Sequence, residues 1–510
     1  MSSTLLYRLA LAIIVIGAFW VRTEDIARRP MHADEANQAV KTGELIESGH
    51  YAFDPRDHHG PTLYYAALPI AWLRGEETLT ALTETTVRLV PAIAGTLSVL
   101  LLALSWSATS GRVSENLAAT EANLPGLAAE ASAKAEGQVP PARWTALVAA
   151  AFLAVSPPAV YYSRYFIQEP LLVTFTLGAF VCALRWWRSG GLTWAIGAGV
   201  ALGLMLATKA SAPLFVGAAL IAALAAHVSR PAQTKPGFHL GIALAAAIAI
   251  AALFYASFGQ NPAGLRDALS AYGQAWHRAS DGAGHEKPWW YYLQLFGWQR
   301  NGGLIWQQLL FSALAVVGIL IAFFQPDKFW RWTASYTLLI VTALSLTPYK
   351  TPWHAVHFVP GMAILAAYVV TAAPRIWLGG FLALVTLTAQ YTQMRQVVFT
   401  RPADPRNPYA YVHSAPDVVK FRSLVQTALT SAPDGIVRVI GEEYWPLPWY
   451  LRGLPRIGYW STPPDDCDGA VVIATGAQSA AVKEKLHGHY SENYLGLRPG
   501  VMAVVFTRQP

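Results

Sequence analysis

The stretch "LLYRLALAIIVIGAFWV", Leu5–Val21, is followed a short way along the chain by "MHADEANQAV", Met31–Val40. The first is almost unbroken apolar sequence, close to the ~20 residues that a bilayer-spanning helix needs. It has no small-x-small cleavage site before Arg22, so it reads as a retained first helix rather than a removed signal peptide. The second sets Asp34 and Glu35 side by side, flanked by His32 and Asn37. Two adjacent acids just beyond a membrane span need a reason.

The chain has 510 residues, 54% hydrophobic and 13% charged, with a mean hydropathy of +0.33. Soluble proteins carry roughly 25% charged residues, so the deficit is large. Apolar windows fall at about 5–21, 86–106, 144–160, 169–185, 192–208, 211–228, 239–258, 304–324, 332–347, 355–373 and 376–390. The expected fold is therefore an α-helical polytopic membrane protein of about 11 transmembrane helices. The net charge of +7 comes from scattered basic residues with no basic stripe, which excludes nucleic acid as a partner and fits contact with membrane lipids. Cys182 falls in a span and Cys467 in the tail, so a disulfide between them is not expected.

Long polar loops occupy 22–85 and 259–303, and an Ala- and Glu-rich connection occupies about 107–143. Residues 1–390 form the expected transmembrane domain. From 391 the character changes to Pro- and Asp-rich linkers and short β-like runs, "IVRVIG", "AVVIAT" and "VMAVVF". Residues 391–510 are thus expected to be a small soluble α/β domain. The short turns holding Arg185 and Arg188, Arg230 and Lys235, and Lys328 and Arg331 fall on one side, which the positive-inside rule makes cytoplasmic. Both long loops and the C-terminal domain then lie outside, in an integral plasma (inner) membrane protein.

The same topology leaves three external turns with conspicuous cations: Arg164 in "YYSRYFIQEP", Lys209 in "LATKASAP", and Lys350 with His354 and His357 in "LTPYKTPWHAVH". Each alone reads equally well as an interfacial anchor, or as an ion pair such as Arg164 with Glu169. Three on one face point to an anion site, and a lipid-linked phosphate is the obvious anion there. The loop acids then gain a role: a carboxylate near the phosphate suits a general base toward an acceptor hydroxyl, with the phosphate as leaving group. No nucleotide motif is present, neither a P-loop nor a G-x-G-x-x-G after a strand.

These pieces resemble the GT-C membrane glycosyltransferases, in the protein O-mannosyltransferase and aminoarabinose-transferase branch. The resemblance is carried by the acidic "DE" loop, "HHGPTLYYAALP", "TVRLVPAIAGTLSVLLL", "VSPPAVYYSRYFIQEPLLVTFTLGAF" and "GLMLATKASAPLF", in that order. "PWWYYLQLFGW", Pro288–Trp298, has no acid attached, which sets the chain apart from the oligosaccharyltransferase branch. The resemblance implies a polyprenyl-phosphate sugar donor lipid, an inverting transfer to an extracytoplasmic acceptor (protein, lipid or glycan), and an external active site. It makes Asp34 the base, with Glu35 shaping the loop and Glu169 as the second acid where aspartate is more usual. Arg164, Lys209, Lys350 and His354 would hold the donor phosphate.

No cofactor is required by this scheme. Members of the related branch with a metal near the corresponding loops make a divalent ion an option, for which Asp57, His58 and His285 offer suitable ligand types. In the tail, "GEEYWPLPWYLRG", Gly441–Gly453, offers acids and aromatics for gripping a glycan or docking on the membrane domain. An alternative function is a non-catalytic flippase or transport component for lipid-linked glycans. It shares the cations but gives no reason for a carboxylate beside the phosphate.

Overall fold

The computed structural model describes residues 3–55, 59–107, 142–228, 235–282, 284–432 and 434–509. Arg230 and most of the Ala- and Glu-rich connection lie outside the described residues. The chain begins with α1 (Ser3–Thr23), α2 (Ala33–Ser48), α3 (Thr62–Leu73) and α4 (Glu84–Ser107). It continues with α5 (Ala142–Val155), α6 (Pro157–Tyr162), α7 (Glu169–Ser189), α8 (Leu192–Leu206), α9 (Ala212–Ala225) and α10 (Pro236–Tyr255). After α11 (Gly264–Asp281) and α12 (Tyr291–Phe296) comes a hairpin of β1 (Trp298–Asn301) and β2 (Leu304–Gln307). The helices α13 (Leu309–Phe323), α14 (Lys328–Leu346), α15 (Val359–Thr371) and α16 (Ile376–Arg395) follow.

Each apolar window of the sequence holds a helix. Among the described residues, four helices are long and apolar enough to cross a membrane by length and composition: Thr4–Thr23, Glu84–Ser105, Glu169–Ser189 and Pro236–Tyr255. The shorter apolar helices pack around them, α4 against α5 and α7, α7 against α8, α8 against α10, and α15 against α5 and α13. Contact between α8 and α10 depends on Gly199 and Gly203. A Cβ at either would stand 2.2 Å or 2.6 Å from the carbonyl oxygens of Ala243 and Ala247. Small residues four apart let the two backbones touch, as in other helix pairs in lipid.

The expected loop 22–85 is folded into α2 and the apolar α3, and the expected loop 259–303 into α11, α12 and the hairpin. The window at 304–324 begins in β2, and its helix starts only at Leu309.

The C-terminal part contains α17 (Lys420–Ser431), β3 (Val437–Ile440), α18 (Leu447–Tyr450), β4 (Ile457–Trp460), β5 (Val471–Thr475), α19 (Gly476–Glu484), β6 (Tyr490–Arg498) and β7 (Val501–Arg508). The strands form one sheet in the order β4-β3-β5-β7-β6, parallel across β4, β3 and β5 and antiparallel at β7 and β6. Alternate residues face opposite sides, as pleating requires. Val437, Val439, Val471, Ile473, Ala503 and Val505 join a core that also holds Met31, Ala36 and Ala39 of the Asp34 segment. Val472, Ala474, Val504 and Phe506 make a second core beneath α19. The sheet therefore shares its inner face with α2–α4. Within the Gly441–Gly453 stretch, Trp449 Nε1 donates to Glu84 at 2.8 Å and Arg452 donates to the Leu82 carbonyl at 2.9 Å. This half docks on the helical part, while Glu442 and Glu443 remain exposed.

Candidate active site

The acidic loop is held by its second acid. Glu35 is fully buried, and its carboxylate accepts from Arg29 (3.0 Å), from both Nε and Nη2 of Arg88 (2.9 and 3.0 Å), and from the main-chain N–H groups of His32 and Phe166 (each 3.0 Å). Burial pushes the carboxyl upward, but the Arg29 and Arg88 charges and these hydrogen bonds outweigh it and hold the group at about 2. Every acceptor direction is taken. Glu35 therefore fastens the loop, the shaping role expected of it, and leaves no oxygen lone pair for a catalytic one.

The fastening leaves Asp34 at the mouth. His32 caps α2, its Nδ1 accepting from the Asp34 N–H at 3.1 Å, while Glu35 reaches back to the His32 N–H in a reciprocal capping box. The Asp34 side chain is 49% exposed, with Oδ2 at 3.7 Å from His32 Nδ1.

The segment 59–62 is pinned on the "ATKAS" turn. His59 and Lys209 form an antiparallel bridge, Gly60 N–H donates to Thr208 O at 3.0 Å, and the hydroxyls of Thr62 and Thr208 meet at 2.8 Å. A Cβ on Gly60 would stand 2.0 Å from the Ala207 carbonyl oxygen, so only glycine permits this approach. Lys209, thus placed, donates from Nζ to Glu169, the first residue of α7. Glu169 is buried, and Lys209 is slightly exposed at 13% of its side chain.

The turn before α15 completes the wall. His354 Nδ1 lies 3.2 Å from the Tyr292 hydroxyl, which donates to Thr351 O at 3.0 Å. Burial first, and then the Lys209 charge, push His354 well below its ordinary range, so the ring is neutral. Tyr349 is pushed upward by burial and next by the charges of Asp34 and Glu169. His285 Nδ1 meets the Tyr411 hydroxyl at 2.7 Å, and burial lowers its proton affinity.

Two expected phosphate ligands point elsewhere. Arg164 donates to the carbonyls of Val21 (3.2 Å) and Asp25 (3.1 Å) and lies over the Phe399 ring, so it fastens the end of α1. The alternative reading of Arg164, an ion pair with Glu169, does not form either: Glu169 pairs with Lys209. Lys350 is 2% exposed and donates from Nζ to Thr347 O at 2.5 Å, turned into its own turn. The Lys209 charge acts on His354, whereas Arg164 and Lys350 are turned to main-chain carbonyls. Of the expected metal ligands, Asp57 and His58 lie outside the described residues, and His285 is bonded to Tyr411. Among the described residues no three His, Cys, Asp or Glu side chains are grouped to hold a metal.

Sequence reading passed over Arg29, Arg88, His32 and Tyr411. Arg88 had a signal, since "TVRLVPAIAG" puts an arginine inside an apolar helix, where a charge needs a buried partner. His32 had a weaker one, a capping residue three before Glu35. Nothing local marks Tyr411, which comes from the far end of the chain.

Helices α7, α8, α9, α10, α14 and α15 line an open apolar cavity of about 520 Å³. Leu177, Leu202, Phe215, Leu244 and Trp332 contribute to its walls. His357, whose ring packs on Phe215 at 4.4 Å, forms part of the lining nearest the site. The Lys209 N–H donates at 3.2 Å to the carbonyl of Met205, another lining residue, so the Lys209 turn adjoins the cavity.

The dolichyl-phosphate-mannose-protein mannosyltransferase family matches residues 142–255. Among curated proteins, none matches the sequence. Among solved structures, ArnT from Cupriavidus metallidurans bound to undecaprenyl phosphate is similar over 99% of this chain and 98% of that one, at 13% identity and a TM-score of 0.64. The Archaeoglobus fulgidus oligosaccharyltransferase tethered with an acceptor peptide is similar over 90% of this chain and 64% of that one, at 13% identity and a TM-score of 0.54. The chain thus shares its fold with these structures, and its residues 142–255 match that family.

Proposed function

We propose that this protein is an inverting glycosyltransferase that moves a sugar from a polyprenyl phosphate to a hydroxyl of an extracytoplasmic acceptor. The observation that carries the reading is the junction of the partly buried Lys209 ammonium with an apolar cavity, with the charges of the exposed Asp34 carboxylate and of Glu169 both acting on Tyr349. A polyprenyl chain is apolar along its length and anionic at one end, which is the shape and charge of that junction. The similarity to a protein bound to undecaprenyl phosphate supports the same reading.

Asp34 takes the proton of the acceptor hydroxyl as its oxygen bonds to the sugar's anomeric carbon. The bond from that carbon to the phosphate oxygen breaks on the opposite face, which inverts the centre. The polyprenyl phosphate leaves with its growing charge beside the Lys209 ammonium, an interaction that strengthens in the transition state. Glu169 holds Lys209 in place, and neutral His354 offers a ring nitrogen to the phosphate or sugar. The scheme assigns no step to a metal.

Helix directions support an extracytoplasmic site. From Glu169 in the site, α7 runs to Arg188, and α14 runs from Lys328 and Arg331 up toward Tyr349. The cations of the short turns thus lie at the opposite end from Asp34, the side the positive-inside rule makes cytoplasmic.

The test offers purified protein a panel of radiolabelled polyprenyl-phosphate hexoses and pentoses with an envelope extract as acceptor. Label moving to a new product with release of polyprenyl phosphate is expected. Tight binding of the panel without release of any polyprenyl phosphate would contradict transfer and favour transport.

A further inference from the structure

His32 stands between the base and the C-terminal half of the chain, and its two ring nitrogens face unlike partners. Nδ1 lies 3.1 Å from the Asp34 main-chain nitrogen, a group that only donates, so Nδ1 presents its lone pair. Nε2 lies 3.2 Å from the Tyr411 carbonyl oxygen, a group that only accepts, so Nε2 carries the hydrogen. The two bonds together select one neutral tautomer. The ring is 5% exposed and is held by His413 (5.7 Å, stacked), Tyr165 (5.8 Å) and Trp353 (6.3 Å). His413 is anchored in turn by the Tyr165 hydroxyl at 2.7 Å.

The tautomer decides what happens to the Asp34 carboxylate 3.7 Å away. A hydrogen on Nδ1 would turn the ring from the Asp34 N–H to the carboxylate and occupy the base. With the hydrogen on Nε2, the ring holds the helix by its main chain and leaves the carboxylate free. The titratable neighbours of the ring are Asp34 and Glu35 from α2, Tyr165 from the turn before α7, and His413 from the Tyr411 segment, with Arg29 stacked on Tyr165.

The Tyr411 carbonyl is placed at a backbone cost. Val412 has φ of 47°, a left-handed conformation that β-branched residues avoid, and its side chain is exposed. Such strain persists only where the surrounding contacts impose it. Here those contacts are His413 buried on one side of Val412, and on the other Tyr411, whose carbonyl meets His32 and whose hydroxyl meets His285.

We propose that His32 and Tyr411 are a positioning pair for the Asp34 base: the Tyr411 carbonyl fixes the His32 tautomer, and His32 in turn keeps the Asp34 carboxylate uncommitted. The inference rests on the reading of Asp34 as base, but its first half stands on geometry alone. The segment after the last apolar helix is by this account part of the catalytic centre.

The test has a spectroscopic and a kinetic arm on the full-length protein in lipid nanodiscs. Nitrogen-15 labelling of histidine shows each ring's protonation, and the signals lost in His32→Asn identify His32, with His32→Gln serving if that variant does not fold. A neutral Nε2–H ring at pH 7 is expected, unchanged in Tyr411→Phe, which keeps the carbonyl. An Nδ1–H ring, or a tautomer that changes in Tyr411→Phe, overturns the proposal. In the kinetic arm His32→Asn retains an acceptor for the Asp34 N–H and loses the tie to Tyr411. Its affinity for undecaprenyl phosphate is expected within about twofold of wild type, while its single-turnover rate falls by ~10-fold or more, the scale of a misplaced catalytic group. A wild-type rate would overturn the positioning role. If wild type transfers no sugar, the functional reading fails, and the tautomer measurement still decides the geometric half.

Discussion

Glu35 and Arg88 meet in a fully buried two-bonded ion pair, the arginine lying inside an apolar helix and the acid beside the exposed Asp34. The pair explains why the loop carries two adjacent acids: one is spent on holding the loop so that the other is free at the mouth.

Replacing Glu35 by Gln is expected to be severely destabilising, because Arg29 and Arg88 stay buried without their counter-charge. Breaking such a pair from one side costs about 3–5 kcal/mol. The thermal midpoint in detergent measures it. The pH dependence has a definite sign. The Glu35 carboxyl, held at about 2, lies below its ordinary 4.5. Its contribution to stability is therefore full above about pH 4.5 and lost as pH falls toward 2. Glu35→Gln should flatten that acid limb.

Lys209→Met is expected to weaken undecaprenyl phosphate binding by ~10-fold or more, the loss of one charge-assisted contact to the anion. Arg164→Ala should instead lower the thermal midpoint and leave that affinity near wild type, since its guanidinium holds the Val21 and Asp25 carbonyls. Equilibrium binding and melting of the two variants together separate the roles.

Gly60→Ala is expected to abolish turnover. The added methyl would meet the Ala207 carbonyl at 2.0 Å and prise the His59 segment from Lys209. Single-turnover rates beside a melting curve measure it, and a wild-type rate would remove the bridge from the account.

Ala198→Phe is expected to fill part of the apolar cavity. Binding of long-chain polyprenyl phosphate should fall, while a short-chain analogue that leaves the lower cavity empty should bind as before. Competition between the two chain lengths is the measurement.

Long apolar windows were legible as helices because burial in lipid demands them, and "IVRVIG", "AVVIAT" and "VMAVVF" as strands because their β-branched runs were short and bounded. β4 and β6 were not, since "IGYW" is too short and "YSENYLGLR" too polar to show a pattern. In the site, sequence located the turns that carry Asp34, Glu169, Lys209 and His354. It did not tell which way a side chain points within a turn, which is why Arg164 and Lys350 were grouped with Lys209. Nor does a sequence show a contact such as Tyr411 with His32, set by tertiary packing across most of the chain.

The most direct test of the central claim is a single-turnover comparison of wild type and Asp34→Asn on the donor sugar that wild type consumes. The amide keeps the size of the side chain and cannot take the acceptor's proton. The account predicts unchanged binding of undecaprenyl phosphate and a transfer rate reduced by ~100-fold or more, within the range for general-base loss. Transfer at the wild-type rate by Asp34→Asn would contradict it.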